Sequence, residues 1–416
     1  MRLLKFLLRY FPPGLALEYT QGGDIKTKMI DLLDLSAGTD IRALAESIKA
    51  AEPVITESVM DQLVETLEKL QTKVCDTNVK RYYKYKTLQT HLLPVTNIAF
   101  DKLGKRCLTG SYDRTCKVWD IDSGTELFTL EGHKNVVYAV SFNNPTSDKI
   151  VTGSFDKTAK VWCSRTGHCL TTMWGHDAEV VVAKFSPTQC KLATGSIDET
   201  SKIFHIETGQ ELGTLKGHTA EVIALHYNND GNQIISGSFD GTVNIWDTRI
   251  FARTSVLIGH HAELSNCLYN FDCSLIASSS MDKSAKIWDV RMNSCLATLL
   301  GHDDEVLDLA FGNNDKKLAT ASSDTTARIW NISSNFQQLA LMKGHREEVS
   351  KVCFSPNGHQ LLTASLDKTA RLWSTDDGSC FQQLKGHTDD VFACAFSYTG
   401  DSIITTSKDN TCTIWR

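Results

Sequence analysis

The sequence predicts an all-β fold built from eight copies of one short unit, behind a small helical N-terminal region over residues 1–79. Three observations carry this. A histidine, nearly always after glycine, returns every 42 or 43 residues, at His91, His133, His176, His218, His260, His302, His345 and His387. An aspartate keeps the same step, at Asp113, Asp156, Asp198, Asp240, Asp282, Asp324, Asp367 and Asp409, with a hydroxyl four residues before it and an aromatic six after. Residues 1–79 contain no copy of this pattern. A fixed period of this length marks repeated supersecondary units that bury their apolar faces on one another.

The aromatics are Trp119, Trp162, Phe204, Trp246, Trp288, Trp330, Trp373 and Trp415; the hydroxyls are Thr109, Thr152, Thr194, Ser236, Ser278, Thr320, Thr363 and Thr405. The period and the GH…WD signature resemble the WD-repeat family. The resemblance implies four-stranded blades around a central axis, an all-β eight-bladed WD-repeat β-propeller over residues 80–416. In such a blade His218, Ser236, Asp240 and Trp246 form one buried hydrogen-bonded chain that ties the loop before the first strand to the third strand. One His–Asp–Ser/Thr set could be a hydrolase relay. Eight sets at blade spacing are structural, so no catalytic residue is assigned. Alternation in Lys117-Val118-Trp119, Lys160-Val161-Trp162 and Lys286-Ile287-Trp288 supports strands. The departures are Thr90 for the first glycine, Phe204 for one tryptophan, and Asn331 and Ser374 for terminal aspartates. Phe204 cannot donate a hydrogen bond, so the third blade is expected to be the loosest of the middle blades.

The sequence ends at Trp415-Arg416, inside the third strand of the last repeat. A fourth strand must come from elsewhere, because an open edge invites aggregation. Residues 81–88 (RYYKYKTL) lie before His91, where the other repeats have their outer strand, and are expected to close the ring. The same lysine–tyrosine run could be read as a nucleic-acid patch; its alternation and position favour the strand.

In the N-terminal region, Ile41, Leu44, Ala45 and Ile48 recur at helical spacing, as do Val59, Leu63, Leu67 and Leu70. Asp40 and Thr56 stand at cap positions, with Pro53 between the two helices. Their apolar faces must be buried against each other, on the propeller, or in a partner groove. The first twelve residues, cut short by Pro12-Pro13, are expected to be a docking segment.

The 416 residues are 41% apolar and 22% charged, the balance of an ordinary folded protein. A net charge of −6 argues against a nucleic-acid binder. Thirteen cysteines without a CxxC pair suggest reduced intracellular thiols and no metal or cofactor site. The opening MRLLKFLLRYFPPG begins like a signal peptide, but Lys5 and Arg9 interrupt it and no small-residue cleavage site follows. No run approaches the roughly 18–20 apolar residues of a membrane span. A soluble cytoplasmic monomer with protein partners and no membrane insertion is expected.

Residues flanking the tetrads are expected on one face, the top. Three positions after the histidines come Glu179, Glu221, Glu263, Glu305, Glu348 and Asp390; directly before the aspartates come Tyr112, Phe155, Ile197, Phe239, Met281 and Leu366. Together they predict a half-apolar, acidic ring that receives a basic or amphipathic segment of a partner. The alternative is that these residues serve solubility and turn packing alone.

The opening RLLKFLLRYFPPGLALEY, the helical stretch behind it, and LTGSYDRTCKVWD and VTGSFDKTAKVW resemble the outer-row dynein assembly WD-repeat proteins. The resemblance implies an adaptor, not an enzyme, that bridges outer dynein arm subunits to an intraflagellar transport B complex subunit. It places the protein in the cytoplasm and at the basal body and axoneme of a motile cilium or flagellum. A rival reading takes Trp246-Asp247-Thr248-Arg249 and Trp288-Asp289-Val290-Arg291 as the WDxR pattern of a cullin-type ubiquitin ligase receptor. A hydrolase needs an unpaired nucleophile, and nothing marks Cys116, Cys163 or Cys295 as one.

Overall fold

In a computed structural model, residues 2–10, 13–21, 24–32, 35, 38–52, 54–74, 80–89, 91–144, 146–188, 190–313 and 315–416 are described. Pro12, Pro53 and Thr90 lie outside them. Eight four-stranded antiparallel sheets follow one another along the chain. In blade 1 the strands are a (Val95–Phe100), b (Arg106–Ser111), c (Cys116–Asp120) and d (Glu126–Leu130), and blades 2 to 7 repeat this order. Strand a lies innermost, and the strands a of blades 2 to 8 begin at Val137, Val180, Val222, Leu264, Val306, Val349 and Val391. Strand b is buried along nearly its whole length in every blade, as expected of a strand covered on both faces. Strand d begins exposed and buries a residue near its end, as in Glu126–Leu130 and Glu211–Lys216.

The N-terminal region corrects the expectation of an all-helical segment. Three strands come first, β1 (Arg2–Tyr10), β2 (Pro13–Gln21) and β3 (Asp24–Asp31), paired antiparallel in the order β1-β2-β3. Leu15 and Leu17 of β2 are fully buried, with Phe6 and Leu8 of β1 and Ile30 of β3 packed on the same core. Leu4 and Leu7 point to solvent. A helix would gather these leucines on one stripe; paired strands bury one face and leave the other exposed. The expected docking segment is therefore the edge of a small sheet.

The two helices are present, α1 (Ile41–Ala51) and α2 (Met60–Val74). Asp40 caps α1, its carboxylate accepting from the backbone N–H of Arg42 at 2.9 Å and of Ala43 at 3.3 Å. Thr56 does not cap α2: it precedes a 3₁₀ turn (Glu57–Val59) and its hydroxyl meets that of Ser58. Ile41, Ala45 and Ile48 of α1 and Leu63, Leu67 and Leu70 of α2 share one core with β2. The apolar helix faces are thus covered by each other and by the sheet, and Arg9 reaches the propeller, 5.2 Å above the Phe271 ring.

Ring closure follows the expected scheme with the strand shifted by a few residues. Strand β4 (Lys84–Gln89) pairs with Thr411–Trp415 and completes blade 8. Tyr82 anchors the approach: it is buried against Leu372, Leu384 and Ile403, and its hydroxyl donates to the Gly400 carbonyl at 2.7 Å. Tyr83 and Arg416 exchange two backbone hydrogen bonds. Tyr85 and Lys86 reach to the carbonyls of Asp122 and Ser123 in blade 1. Much of the lysine–tyrosine run is thus engaged in closure.

Candidate protein-docking face

The tetrad assembles in seven blades as the spacing predicts. His218 Nδ1 lies 2.8 Å from Asp240 Oδ2, His218 Nε2 lies 2.7 Å from Ser236 Oγ, and Trp246 Nε1–H donates to the same Oγ at 2.8 Å. One proton arrangement satisfies all of them: Nδ1–H donates to the carboxylate, Nε2 accepts the hydroxyl proton, and the hydroxyl oxygen accepts from the indole. The imidazole is then neutral, and burial lowers the pKa of His260, His302 and His345. Burial alone would raise the Asp282 carboxyl, but hydrogen bonds from Ser284 and His260 outweigh it and hold it at about 2. Each aspartate also fixes the start of strand c, since its Oδ1 accepts from the hydroxyl two residues on, as in Thr242 to Asp240 at 2.6 Å. In blade 3, Thr194 has the histidine but no indole donor, because Phe204 stands there. The tetrads are buried, and their polar atoms are satisfied by one another.

The same His–Asp link presses each b–c turn onto the loop before strand a, and this pairs the two rows of residues expected on the top face. The N–H of Ile197 donates to the carbonyl of Glu179, Phe239 to Glu221, Met281 to Glu263 and Leu366 to Glu348, all at 2.9–3.0 Å. The acid and the apolar residue are therefore backbone neighbours in blades 3, 4, 5 and 7. Glu305 pairs in the same way with Ser323, and Asp390 with Lys408. In blades 1 and 2 the pattern changes, with Tyr112 bonded to Pro94 and Phe155 to Val136. Tyr112, Ile197 and Phe239 are exposed, as are Glu263 and Glu348; Phe155, Met281, Leu366, Glu179, Glu221, Glu305 and Asp390 are half-buried. Among the described residues none of the five glutamates has an ion-pair partner, whereas Asp390 meets Lys408 at 3.3 Å.

Three features escaped the sequence reading. Leu92 and Leu93 stand exposed on the top of blade 1. Tyr138, second in strand a of blade 2, stacks on Phe155 with centroids 5.7 Å apart. The central channel, about 500 Å³, holds Asp308, whose carboxylate accepts from Asn266 Nδ2, Lys351 Nζ and the Val352 N–H. Leu92 carried a signal, because the other seven repeats have a polar residue directly after the histidine.

The WDxR arginines lie after strand c, away from this face. Arg249 folds back on Asp247, its Nη2 and Nε both donating to that carboxylate. The side chain of Arg291 is exposed.

Fold and tetrads together define a WD-repeat β-propeller, and the chain belongs to that family: the family described as "WD domain, G-beta repeat" matches residues 83–120, 124–163, 167–205, 209–247, 251–289, 293–331, 336–374 and 378–416. Each matched unit begins at strand d of one blade and ends at strand c of the next, so the first begins at β4. The chain is 55% identical over 148 residues to "Dynein assembly factor with WD repeat domains 1" of Xenopus laevis, and 53% identical over 150 residues to the protein of that name of Homo sapiens. Each match covers 36% of this chain and 36% of the relative. The crystal structure of the computationally designed Ika8 protein superposes with a TM-score of 0.71 at 29% identity, covering 79% of this chain and 98% of that one.

Proposed function

We propose that this chain is a non-enzymatic adaptor in outer-arm dynein assembly, linking preassembled outer dynein arm subunits to a subunit of the intraflagellar transport B complex for delivery into motile cilia. It works as a monomer, in the cytoplasm and at the basal body and axoneme. The single observation that carries the reading is the 53–55% identity to proteins named as dynein assembly factors. The geometry is compatible with it: the repeated polar residues are consumed in holding blades together, which leaves the top ring free for a protein partner. On that ring Glu179, Glu221, Glu263, Glu305, Glu348 and Asp390 attract a basic or amphipathic segment, more weakly as salt screens them.

The test is a pull-down with the full chain from an extract of ciliated cells, at low and raised salt. Outer-arm dynein and transport-complex subunits are expected on the wild type and lost on the Glu221→Lys/Glu263→Lys variant, with the melting midpoint unchanged. Recovery of cullin-ligase subunits in their place overturns the adaptor reading. Retention of dynein on the charge-reversed variant overturns the role of the acidic ring.

A further inference from the structure

We propose that blades 1 and 2 form the apolar anchor site of the top face, taking one or two large apolar side chains of a partner segment whose lysines and arginines run along the acids of blades 3 to 7. This deepens the top-face reading and rests on it.

The top ring is not eightfold. Three positions after the histidine, six blades carry an acid, while blade 1 has Pro94 and blade 2 has Val136. Both blades carry exposed apolar side chains at this face, as Trp174, Ile258 and Leu300 do beside the glycines before His176, His260 and His302. Leu92 is 85% exposed and Leu93 48%, Tyr112 is 42% exposed and Tyr138 41%. The Tyr112 N–H donates to the Pro94 carbonyl at 3.1 Å and the neighbouring Ser111 hydroxyl to the Leu93 carbonyl at 3.0 Å, while the Thr96 hydroxyl donates to the Val137 carbonyl, next to Tyr138, at 2.7 Å. Tyr138 in turn stacks on Phe155. Clustered aromatic and leucine side chains in water are costly unless a partner covers them, and such clusters anchor protein interfaces.

Charge fixes the rest of the occupant. The glutamates of blades 3 to 7 are without ion-pair partners among the described residues; with Asp177, Glu199, Asp303, Asp304 and Glu347 they outnumber Lys283, Arg346 and Lys368 on those loops, whereas the top loops of blades 1 and 2 carry Arg114, Lys134 and Lys157. A basic segment is attracted along blades 3 to 7 and repelled from blades 1 and 2. A segment with its apolar anchor at one end and its basic residues at the other fits in one orientation only.

The experiment presents the immobilised full chain to a phage-displayed library of random 16-residue peptides. Enriched peptides are expected to carry a Trp, Phe or Leu with Lys or Arg to one side of it. Their affinity should fall tenfold or more on Leu92→Ser/Leu93→Ser and on Tyr112→Ala. Because Leu92 is almost wholly exposed, the melting midpoint of the serine variant should stay within a degree of wild type. On Glu221→Lys/Glu263→Lys the salt dependence should flatten while the apolar preference remains. Enrichment of acidic or wholly polar peptides, no enrichment, or unchanged binding to the serine variant overturns the anchor site. Failure of the adaptor reading is separate: it appears as loss of dynein from the wild-type pull-down, whatever peptides are selected.

Discussion

Truncation of Trp246 tests whether the tetrad holds the blade as its geometry requires. The side chain is 1% exposed and packs with Val182, Val222, Leu225 and Ile234, bridging blades 3 and 4. Trp246→Ala therefore removes a buried aromatic and leaves a cavity, a loss of about 3–5 kcal/mol. Trp246→Phe keeps most of the packing and removes the indole donor to Ser236, a loss of about 1–2 kcal/mol. Ser236→Ala strands both the indole N–H and His218 Nε2, at about 2–3 kcal/mol. Once Ser236 is gone, the indole has no bond to lose, so Trp246→Phe in that background should cost about 1 kcal/mol less. The assay is urea unfolding of the full chain, with melting as a second readout. At about 2.1 cal/mol/K per residue, a ring of about 330 residues moves its midpoint by roughly 1.5 °C per kcal/mol. An unchanged midpoint in Trp246→Ala refutes the tetrad as a source of stability. Additivity within about 0.3 kcal/mol in the double-mutant cycle refutes the indole bond while leaving the packing.

Amide hydrogen exchange of Thr200–His205, the strand that carries Phe204, should exceed that of Thr242–Asp247, which carries Trp246; equal rates would show that the missing donor is compensated. Acid should destabilise the ring in two stages. His260, His302 and His345 have folded pKa values below the unfolded value of about 6.5, so the unfolded chain binds protons first and stability begins to fall below that pH. Asp282 is depressed to about 2, so its contribution is whole above about pH 4 and is lost as pH falls toward 2. A melting midpoint flat from pH 7 to pH 4 contradicts the neutral-histidine arrangement. Lys86→Pro in β4, opposite Ile414, removes a backbone N–H from the closing strand, and size-exclusion chromatography should show soluble aggregates in place of the wild-type species.

The propeller was legible because its determinants are local and repeated: each His, Asp, hydroxyl and Trp sits at a fixed offset, and eight copies average away the noise of any one. Even there a signal went unused. A threonine or serine follows every tetrad aspartate at the second position, and all eight hydroxyls bind its carboxylate. The N-terminal sheet was not legible for a physical reason. RLLKFLLRY carries leucine on both faces of β1, and the bulge between Leu3 and Lys5 shifts the register, so neither a period of two nor one of 3.6 stands out. On the top ring the acids and the residues before the aspartates were found by repetition. Leu92 and Leu93 were missed by the same method, because a search for recurring residue types passes over the copy that differs.

Departures from the repeat are for that reason the informative positions, and their direction separates two kinds. Eight blades place equivalent residues in nearly equivalent surroundings, so a residue present in all eight is explained by what one blade needs. Phe204 departs inward. It gives up a hydrogen bond among buried groups and offers nothing to solvent, so its consequence is confined to the stability and dynamics of blade 3. Leu92 departs outward. It contributes nothing to the packing of blade 1, at 85% exposure, and it costs solubility, so no requirement of the fold accounts for it. The same holds for the absence of acids at Pro94 and Val136, the two blades where Tyr112, Tyr138 and Phe155 gather. Two departures, one of charge and one of polarity, fall on the same pair of blades, and the proposed partner, which seats its apolar residues there and its positive charge elsewhere, would account for both.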